Sequence, residues 1–253
     1  MTGLSPYHWH RVYRELQGET IHATLSRLRL QRAAKLLGDG ELPLGRVARR
    51  AGYGSLPAFS RAFRAAYGMP PGAYRATGPH RRYRADLAAT DATPSGAPTP
   101  PVEVRDEPAR RCACVPHAGR YLEIDRAFST LHRALARAGV DDASLDSLGV
   151  YFDDPSLIEP RRLESLACAA GLPDDRVPEG LDRWEIPAGP HAVLLHRGPF
   201  DALDEAYRWM FGRWLPASGR EPADAPVHER YLDDPRTTAP MELRVEIRLP
   251  LAG

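Results

Sequence analysis

This chain of 253 residues has no run of 18 apolar residues, no N-terminal signal peptide and only three cysteines. The missing apolar run and signal peptide predict a cytoplasmic protein that does not enter a membrane. An odd, small number of cysteines argues against a disulfide framework. The nine histidines lack an HExxH or CxxC companion, so we assign no metal site, no cofactor and no catalytic residue.

The cysteines lie in two places. Cys112 and Cys114 alternate along a predicted strand and therefore share one of its faces, whereas Cys168 is distant in sequence. We interpret all three as buried thiols rather than as a redox pair or metal ligands.

Charge is divided along the chain. Residues 1–85 hold 15 Lys and Arg against 4 Asp and Glu, while the other 168 residues hold 19 basic and 29 acidic side chains. A basic N-terminal third followed by an acidic remainder is typical of a polyanion-binding domain joined to a domain that does not bind nucleic acid.

The spacing of apolar residues predicts a helix-turn-helix. Residues 44–51 have helical periodicity, and Gly52-Tyr53-Gly54 provides a turn that needs positive φ. Ser55 is a candidate cap for a second helix with a buried stripe at Phe59, Ala62, Phe63 and Ala66. Such second helices enter the DNA major groove.

This second helix has an earlier copy. Residues 55–68 (SLPAFSRAFRAAYG) align with residues 5–18 (SPYHWHRVYRELQG) at a constant offset of 50, and serine, aromatic, arginine and glycine positions coincide. Between the copies, residues 21–37 are predicted to form one continuous helix capped by Thr20 and ended by Gly38.

Tandem units of this kind, with the sequence GYGSLPAFSRAFRAAYGMPPGAYR, closely resemble the DNA-binding domain of AraC/XylS-type transcription regulators. The resemblance implies base reading by the exposed first turns of both recognition helices. Those positions are Ser5, Pro6, Tyr7, His10, Arg11, Arg14, Ser55, Leu56, Pro57, Ser60, Arg61 and Arg64.

The first unit is N-terminally truncated in comparison with the second, because a leading helix equivalent to residues 44–51 would fall before Met1. We expect that the start codon was assigned too late, since the retained half keeps the pattern of a working helix. The alternative is that the first helix-turn-helix unit is impaired in DNA binding.

A second duplication follows a Pro-, Ser- and Thr-rich stretch at residues 90–101, which is predicted to be an extended tether. Residues 115–135 align with 194–214 at an offset of 79, and GVYFDDP (149–155) aligns with ERYLDDP (229–235) at an offset of 80. Each unit is predicted to be βαββ, and two such halves would pair about a pseudo-twofold axis around a cleft.

The predicted fold is therefore two-domain: an all-α tandem helix-turn-helix and an α+β duplicated βαββ antiparallel-sheet domain. The predicted limits are 1–85 for the DNA-binding domain, 86–101 for the linker and 102–253 for the second domain.

The second domain resembles the gyrase-inhibitor-like (GyrI-like) effector-binding family, through AVLLHRGPFDALDEAYRWMFGRW, HERYLDDP and PMELRVEIRLPL. The resemblance implies a small-molecule site, often for bulky hydrophobic cations, with a cleft glutamate that corresponds to Glu229.

The residues themselves support a site at Glu229. Glu229 and Tyr231 point to one side of a strand, and Tyr231 has a repeat mate in Tyr151, whereas the mate of Glu229 is Gly149. One acid in a duplicated cleft, among aromatic rings, suits a cation. The candidate ligand residues are Glu229, Tyr231, Tyr151, Trp184, Phe200 and Tyr121. The alternative is a solvated strand residue beside core aromatics.

The sequence thus predicts a transcription regulator that is not an enzyme, with double-stranded DNA, a small-molecule effector and RNA polymerase as partners. Two alternatives use the same cleft: a small hydrolase with Glu229 as general base or nucleophile, and a protein-docking module of the gyrase-inhibitor kind.

Overall fold

The computed structural model describes residues 19–40, 42–79, 81, 101–155, 158–173 and 176–253. These residues form two compact units that do not follow chain order. The first unit draws on the described residues within 1–98, 197–209 and 234–243, and the second on those within 99–196, 210–233 and 244–253. Two short segments of the C-terminal half therefore belong to the first unit.

The first unit has a helical core. Helices α1 (Ile21–Asp39), α2 (Leu44–Arg50), α3 (Leu56–Tyr67) and α4 (Pro71–Thr77) supply it. Thr20 caps α1 by accepting the Ala23 N–H at 3.1 Å, and α1 continues two residues beyond the predicted limit. Gly52 has φ 81° in the turn between α2 and α3, as its position predicts.

Aromatic side chains dominate this core. Phe59, Phe63, Tyr67 and Tyr74 are at most 1% exposed, and their rings form a continuous series of contacts with centroid distances of 4.3 to 5.5 Å. Met241, from the segment 234–243, packs against the same cluster.

The second unit is built on an eight-stranded sheet. In chain order it comprises β1 (Val102–Glu107), β2 (Arg110–Ala118), α5 (Asp125–Arg137), β3 (Asp146–Tyr151), β4 (Glu164–Ala170), β5 (Asp182–Ile186), β6 (Gly189–Arg197), β7 (Val227–Tyr231) and β8 (Arg244–Pro250). Helix α6 (Leu203–Trp209) belongs to the first unit, and a π-helical turn (Met210–Trp214) and α7 (Leu215–Ser218) follow it.

The sheet confirms the predicted duplication and extends it. The strand order is β1-β6-β8-β7-β3-β4-β2-β5, which is symmetric about the β7–β3 pair. Equivalent strands end 79 or 80 residues apart. Each predicted βαββ half gains one leading strand, β1 or β5, and that strand pairs with the opposite half: β1 with β6, and β5 with β2.

Helix α5 covers one face of the first half. Leu131 and Leu135 are fully buried against Ala113, Ala167 and Ala169 of β2 and β4. The opposite face of β2, β3 and β4 carries Cys112, Cys114, Leu148, Val150 and Cys168, all at most 1% exposed. Both faces are buried, so side-chain register, rather than exposure, decides which residues can meet.

Candidate functional site

Glu229 lies where the two halves of the sheet meet. The antiparallel register of β3 and β7 sets Gly149 opposite Glu229, Ser147 opposite Tyr231, and Tyr151 opposite Val227. Since equivalent residues here differ by 80, this register is symmetric about the Gly149–Glu229 pair. The pseudo-twofold axis therefore passes between a glycine and its own repeat mate, an acid.

Two tyrosines hold the carboxylate. Glu229 is 4% exposed, and the Tyr231 hydroxyl donates to its Oε2 at 2.8 Å. The Tyr151 hydroxyl is hydrogen-bonded to the Tyr231 hydroxyl, and it lies close enough to Glu229 for the charge of the carboxylate to act on it. Hydrogen bonds to a carboxylate stabilise its ionised form, so this arrangement suits a negative charge.

Gly149 makes room for that arrangement. A Cβ at this position would lie 2.7 Å from the Tyr151 hydroxyl oxygen and 2.9 Å from that of Tyr231. The two phenols occupy the space above the glycine that a side chain would fill, so they can reach the acid on the neighbouring strand.

Two more rings complete the cluster. Tyr121 packs edge-on to Tyr151 with centroids 4.7 Å apart, and Phe128 of α5 packs edge-on to Tyr231 at 5.5 Å. The Tyr121 hydroxyl accepts the Asp153 N–H at 3.0 Å and donates to the Glu164 carbonyl at 3.2 Å. Phe128 was absent from the predicted site; the only signal for it was its alignment with Tyr207 in the repeat.

The phenols of this cluster stay protonated. Burial raises the pKa of Tyr151 and of Tyr231 well above the usual range, and the negative charge of Glu229 adds to both shifts. Burial also raises the pKa of Tyr121 to about 12. Near neutral pH these groups are therefore hydrogen-bond donors rather than phenolates.

The structure does not bring two predicted ligand residues into this cluster. Trp184 is the register partner of Cys112, on the sheet face opposite Glu229, where its ring contacts Phe152 at 5.3 Å. Phe200 begins a 3-10 turn in segment 197–209, which belongs to the first unit.

Helix α3 has the two faces expected of a recognition helix. Ser55 caps it by accepting the Ala58 N–H at 3.3 Å. Phe59 and Phe63 are fully buried on one side, whereas Arg61 and Arg64 are exposed. Of the other predicted DNA-contacting positions here, Ser55, Leu56 and Pro57 are exposed and Ser60 is half-buried.

The earlier copy of that helix lies outside the described residues. It contains the predicted DNA-contacting positions Ser5, Pro6, Tyr7, His10, Arg11 and Arg14.

Segment 197–209 is bound to the helices of the first unit by polar contacts. The Tyr74 hydroxyl of α4 donates to Asp201 Oδ2 at 2.7 Å, and Lys35 of α1 pairs with Asp204. Asp201 is 8% exposed, and burial raises the pKa of its carboxyl group to about 7.

Within the described part of the chain, no group of three or more His, Cys, Asp or Glu side chains is arranged to hold a metal ion. None of the described helices is long and apolar enough to cross a membrane.

Comparison with protein families gives two matches. The model of the GyrI-like small molecule binding domain matches residues 100–252, and a helix-turn-helix domain model matches residues 1–77. The probable transcriptional regulator YgiV of Escherichia coli O157:H7 is 25% identical over 155 residues, which are 60% of this chain and 96% of YgiV. A DNA gyrase inhibitor of Edwardsiella piscicida is 33% identical over 109 residues, 40% of this chain and 69% of that protein.

Two solved structures share the fold. The match to the EcmrR C-terminal domain has a TM-score of 0.51 at 18% sequence identity. It covers 60% of this chain and 98% of the EcmrR domain. The cryo-EM structure of the EcmrR-DNA complex in EcmrR-RPo has a TM-score of 0.55 at 16% identity, over 97% of this chain and 81% of its own.

Proposed function

This chain belongs to the GyrI-like family of small-molecule-binding domains and carries an AraC-type helix-turn-helix domain at its N-terminus, and from that premise we propose that a bulky organic cation bound at Glu229 controls its activity as a transcription regulator. We assign DNA binding to residues 1–85, a tether to 86–101 and effector binding to 102–253.

The observation that carries the proposal is the lone acid on the pseudo-twofold axis. Glu229 is buried, whereas the rings of Tyr121, Tyr151 and Tyr231 around it are partly exposed. A cation on these ring faces gains cation–π attraction and the field of the carboxylate behind them. A neutral ligand of the same shape gains neither.

The same contacts favour a cation without N–H groups. The Tyr231 hydroxyl already donates to Glu229, and the Tyr151 hydroxyl donates in turn to that of Tyr231, so the carboxylate does not need a donor from the ligand. A delocalised or quaternary cation supplies charge and apolar area without the cost of stripping water from an ammonium group. We therefore propose an aromatic, permanently charged effector.

A matched dye pair tests this proposal. Crystal violet is a cation, and leucocrystal violet has the same carbon skeleton but is neutral at pH 8. We expect Glu229→Gln to weaken crystal violet binding at least about tenfold, which corresponds to ~1.4 kcal/mol, and to leave leucocrystal violet binding unchanged. Calorimetric titration measures both.

The control variant is Glu123→Gln, which removes an exposed negative charge two residues from Tyr121 and should bind both dyes like the wild type. Equal affinity of the wild type for the two dyes, or an unaffected Glu229→Gln variant, contradicts a cation site at Glu229.

We propose binding rather than turnover at this site. The carboxylate of Glu229 accepts a hydrogen bond from Tyr231, and both neighbouring phenols stay protonated, which lowers its reactivity as a base or nucleophile. We expect the bound dye to be recovered chemically unchanged.

For the DNA-binding domain we propose that Arg61 and Arg64 contact phosphates and bases in the major groove, and that Arg11 and Arg14 do so in the earlier copy. The promoter beside the protein's own gene is the first DNA to test. RNA polymerase is a proposed further partner, because the related EcmrR was solved as a DNA complex within the assembly called EcmrR-RPo.

Segment 197–209 is the proposed route from effector to DNA. It continues directly from β6 of the sheet, and through Asp201 and Asp204 it is bonded to Tyr74 of α4 and Lys35 of α1. A ligand that shifts the end of β6 would therefore shift the helices that position α3.

A further inference from the structure

The three thiols converge on the sheet face opposite Glu229. Cys114 of β2 and Cys168 of β4 are register partners, and their Sγ atoms are 2.7 Å apart. Cys112 lies on the same face two residues earlier, within hydrogen-bonding reach of Cys168. All three are free and at most 1% exposed.

We propose that Cys114 and Cys168 form a reversible disulfide and that Cys112 remains a free thiol. Directly opposed residues of an antiparallel pair have Cα atoms about 4.5 to 5.5 Å apart. That spacing lies within the range of about 4.4 to 6.8 Å that disulfides span. The Sγ atoms, 2.7 Å apart, need only a small approach to reach the ~2.0 Å of a disulfide.

Geometry selects this pair from the three thiols. Cys112 and Cys114 are two residues apart on one strand, which separates their parallel Cβ atoms by about 6.6 Å. A disulfide needs about 3.5 to 4.5 Å between Cβ atoms. Cys112 is opposite Ala170 and only diagonal to Cys168, where Cβ atoms are also farther apart than in a direct pair.

A surface recess lies beside the strand ends that carry these thiols. The recess, of about 420 Å³, is lined by Arg110, Arg111, Ala170 and Gly171. Arg110 and Arg111 immediately precede Cys112, and Ala170 is its register partner. The recess therefore borders the residues next to Cys112, which makes it the candidate point of approach for a small oxidant.

The reaction is a two-electron oxidation. Each thiol gives up one proton and one electron, the Sγ–Sγ bond forms, and hydrogen peroxide is reduced to two water molecules. A thiol reductant such as dithiothreitol reverses the step. Neither DNA nor the effector takes part, so the inference is independent of the proposed function.

Mass spectrometry of the full-length protein tests the inference. After peroxide treatment, removal of peroxide and alkylation in denaturant, we expect one alkyl group per chain, on Cys112, instead of three. Peptide mapping should link Cys114 to Cys168. The melting temperature should rise, because the bond closes a loop between residues 54 apart, and dithiothreitol should restore the original value.

Variants supply the controls. Cys168→Ser and Cys114→Ser should lose the internal link, whereas Cys112→Ser should keep it. Three alkylated cysteines after oxidation, a link that includes Cys112, or sulfinic acid as the main product would each overturn the inference. The wild-type map decides the question even if a serine variant fails to fold.

Discussion

At the scale of single residues, the proposed site depends on the contrast between Glu229 and Gly149. Equivalent positions of a duplicated sheet hold an acid and a glycine, and they face each other across the axis. The missing side chain at Gly149 leaves space for the hydroxyls of Tyr151 and Tyr231, which reach the acid. The asymmetry that the repeat alignment revealed is therefore a packing requirement as well as a candidate binding feature.

Gly149→Ala should damage both stability and effector binding. The added methyl group would meet the two hydroxyl oxygens at 2.7 and 2.9 Å, and overpacking of this kind costs about 1 to 3 kcal/mol. Denaturant unfolding should show the loss, and crystal violet titration should show weaker binding.

Gly45→Ala is the matched control, because Gly45 lies in α2 and nothing approaches its Cβ position within 4 Å. It should be neutral or stabilising by up to ~1 kcal/mol. A Gly149→Ala variant as stable as the wild type would mean that the phenols are not held above the glycine.

At the scale of the element, α3 separates stability from proposed DNA binding. Its apolar face supplies Phe59, Phe63 and Tyr67 to the helical core, while Arg61 and Arg64 are exposed on the other side. Ser55 caps its start, and Gly68, with φ 73°, ends it. The spacing of aromatic and basic residues therefore gives one short helix two independent roles.

Arg64→Ala should weaken DNA binding without changing stability. An exposed arginine contributes little to folding, within about 0.5 kcal/mol, but loss of one phosphate contact should reduce the slope of log affinity against log salt by about 1. Fluorescence anisotropy at several salt concentrations measures the slope.

Phe63→Ala provides the contrast, because emptying this fully buried site should cost about 3 to 5 kcal/mol. Arg137→Ala, which removes an exposed arginine at the end of α5, should leave DNA affinity unchanged. An Arg64→Ala variant with the wild-type salt slope would exclude Arg64 from the DNA interface.

At the scale of the whole molecule, the two compact units are not two consecutive halves of the chain. Segments 197–209 and 234–243 lie between strands of the sheet in sequence, yet they pack within the helical unit. Buried Asp201 accepts a hydrogen bond from Tyr74. The charge of Lys35 lowers the pKa of the Asp201 carboxyl group, and the charge of Asp204 raises it. The helical core therefore depends on residues far away in sequence.

The stability of the protein should fall between about pH 4 and pH 7 through Asp201. Burial raises the pKa of this carboxyl group from 3.8 to about 7. Between these values the folded protein holds a proton that the unfolded chain has released. The stabilising contribution is complete below about pH 4 and is lost as the pH rises to about 7.

Asp201→Asn should remove this part of the pH dependence, because the amide does not titrate. Urea unfolding at pH 5 and at pH 7.5 measures the change for each protein. An unchanged difference in stability between the two pH values would show that Asp201 does not hold its proton in the folded state.

The sequence by itself determined the local elements and the duplications. Helical spacing, the cap at Ser55 and the glycine at residue 52 specified the helix-turn-helix, because these signals act within a few residues. The offset near 80 specified the repeated sheet, and the offset near 50 predicted a repeated recognition helix, whose first copy lies outside the described residues. The offset near 80 also singled out Glu229, since an acid aligned with a glycine is visible without a structure.

Only the tertiary structure decided which strands are neighbours. β1 and β5 are short and rich in charge, so their pattern did not reveal them, and each pairs with the opposite half. That pairing placed Trp184 on the face away from Glu229, and the packing of α5 brought Phe128 to Tyr231. Alternation along a strand fixes which residues share a face, but burial against distant strands and helices decides which neighbour they meet.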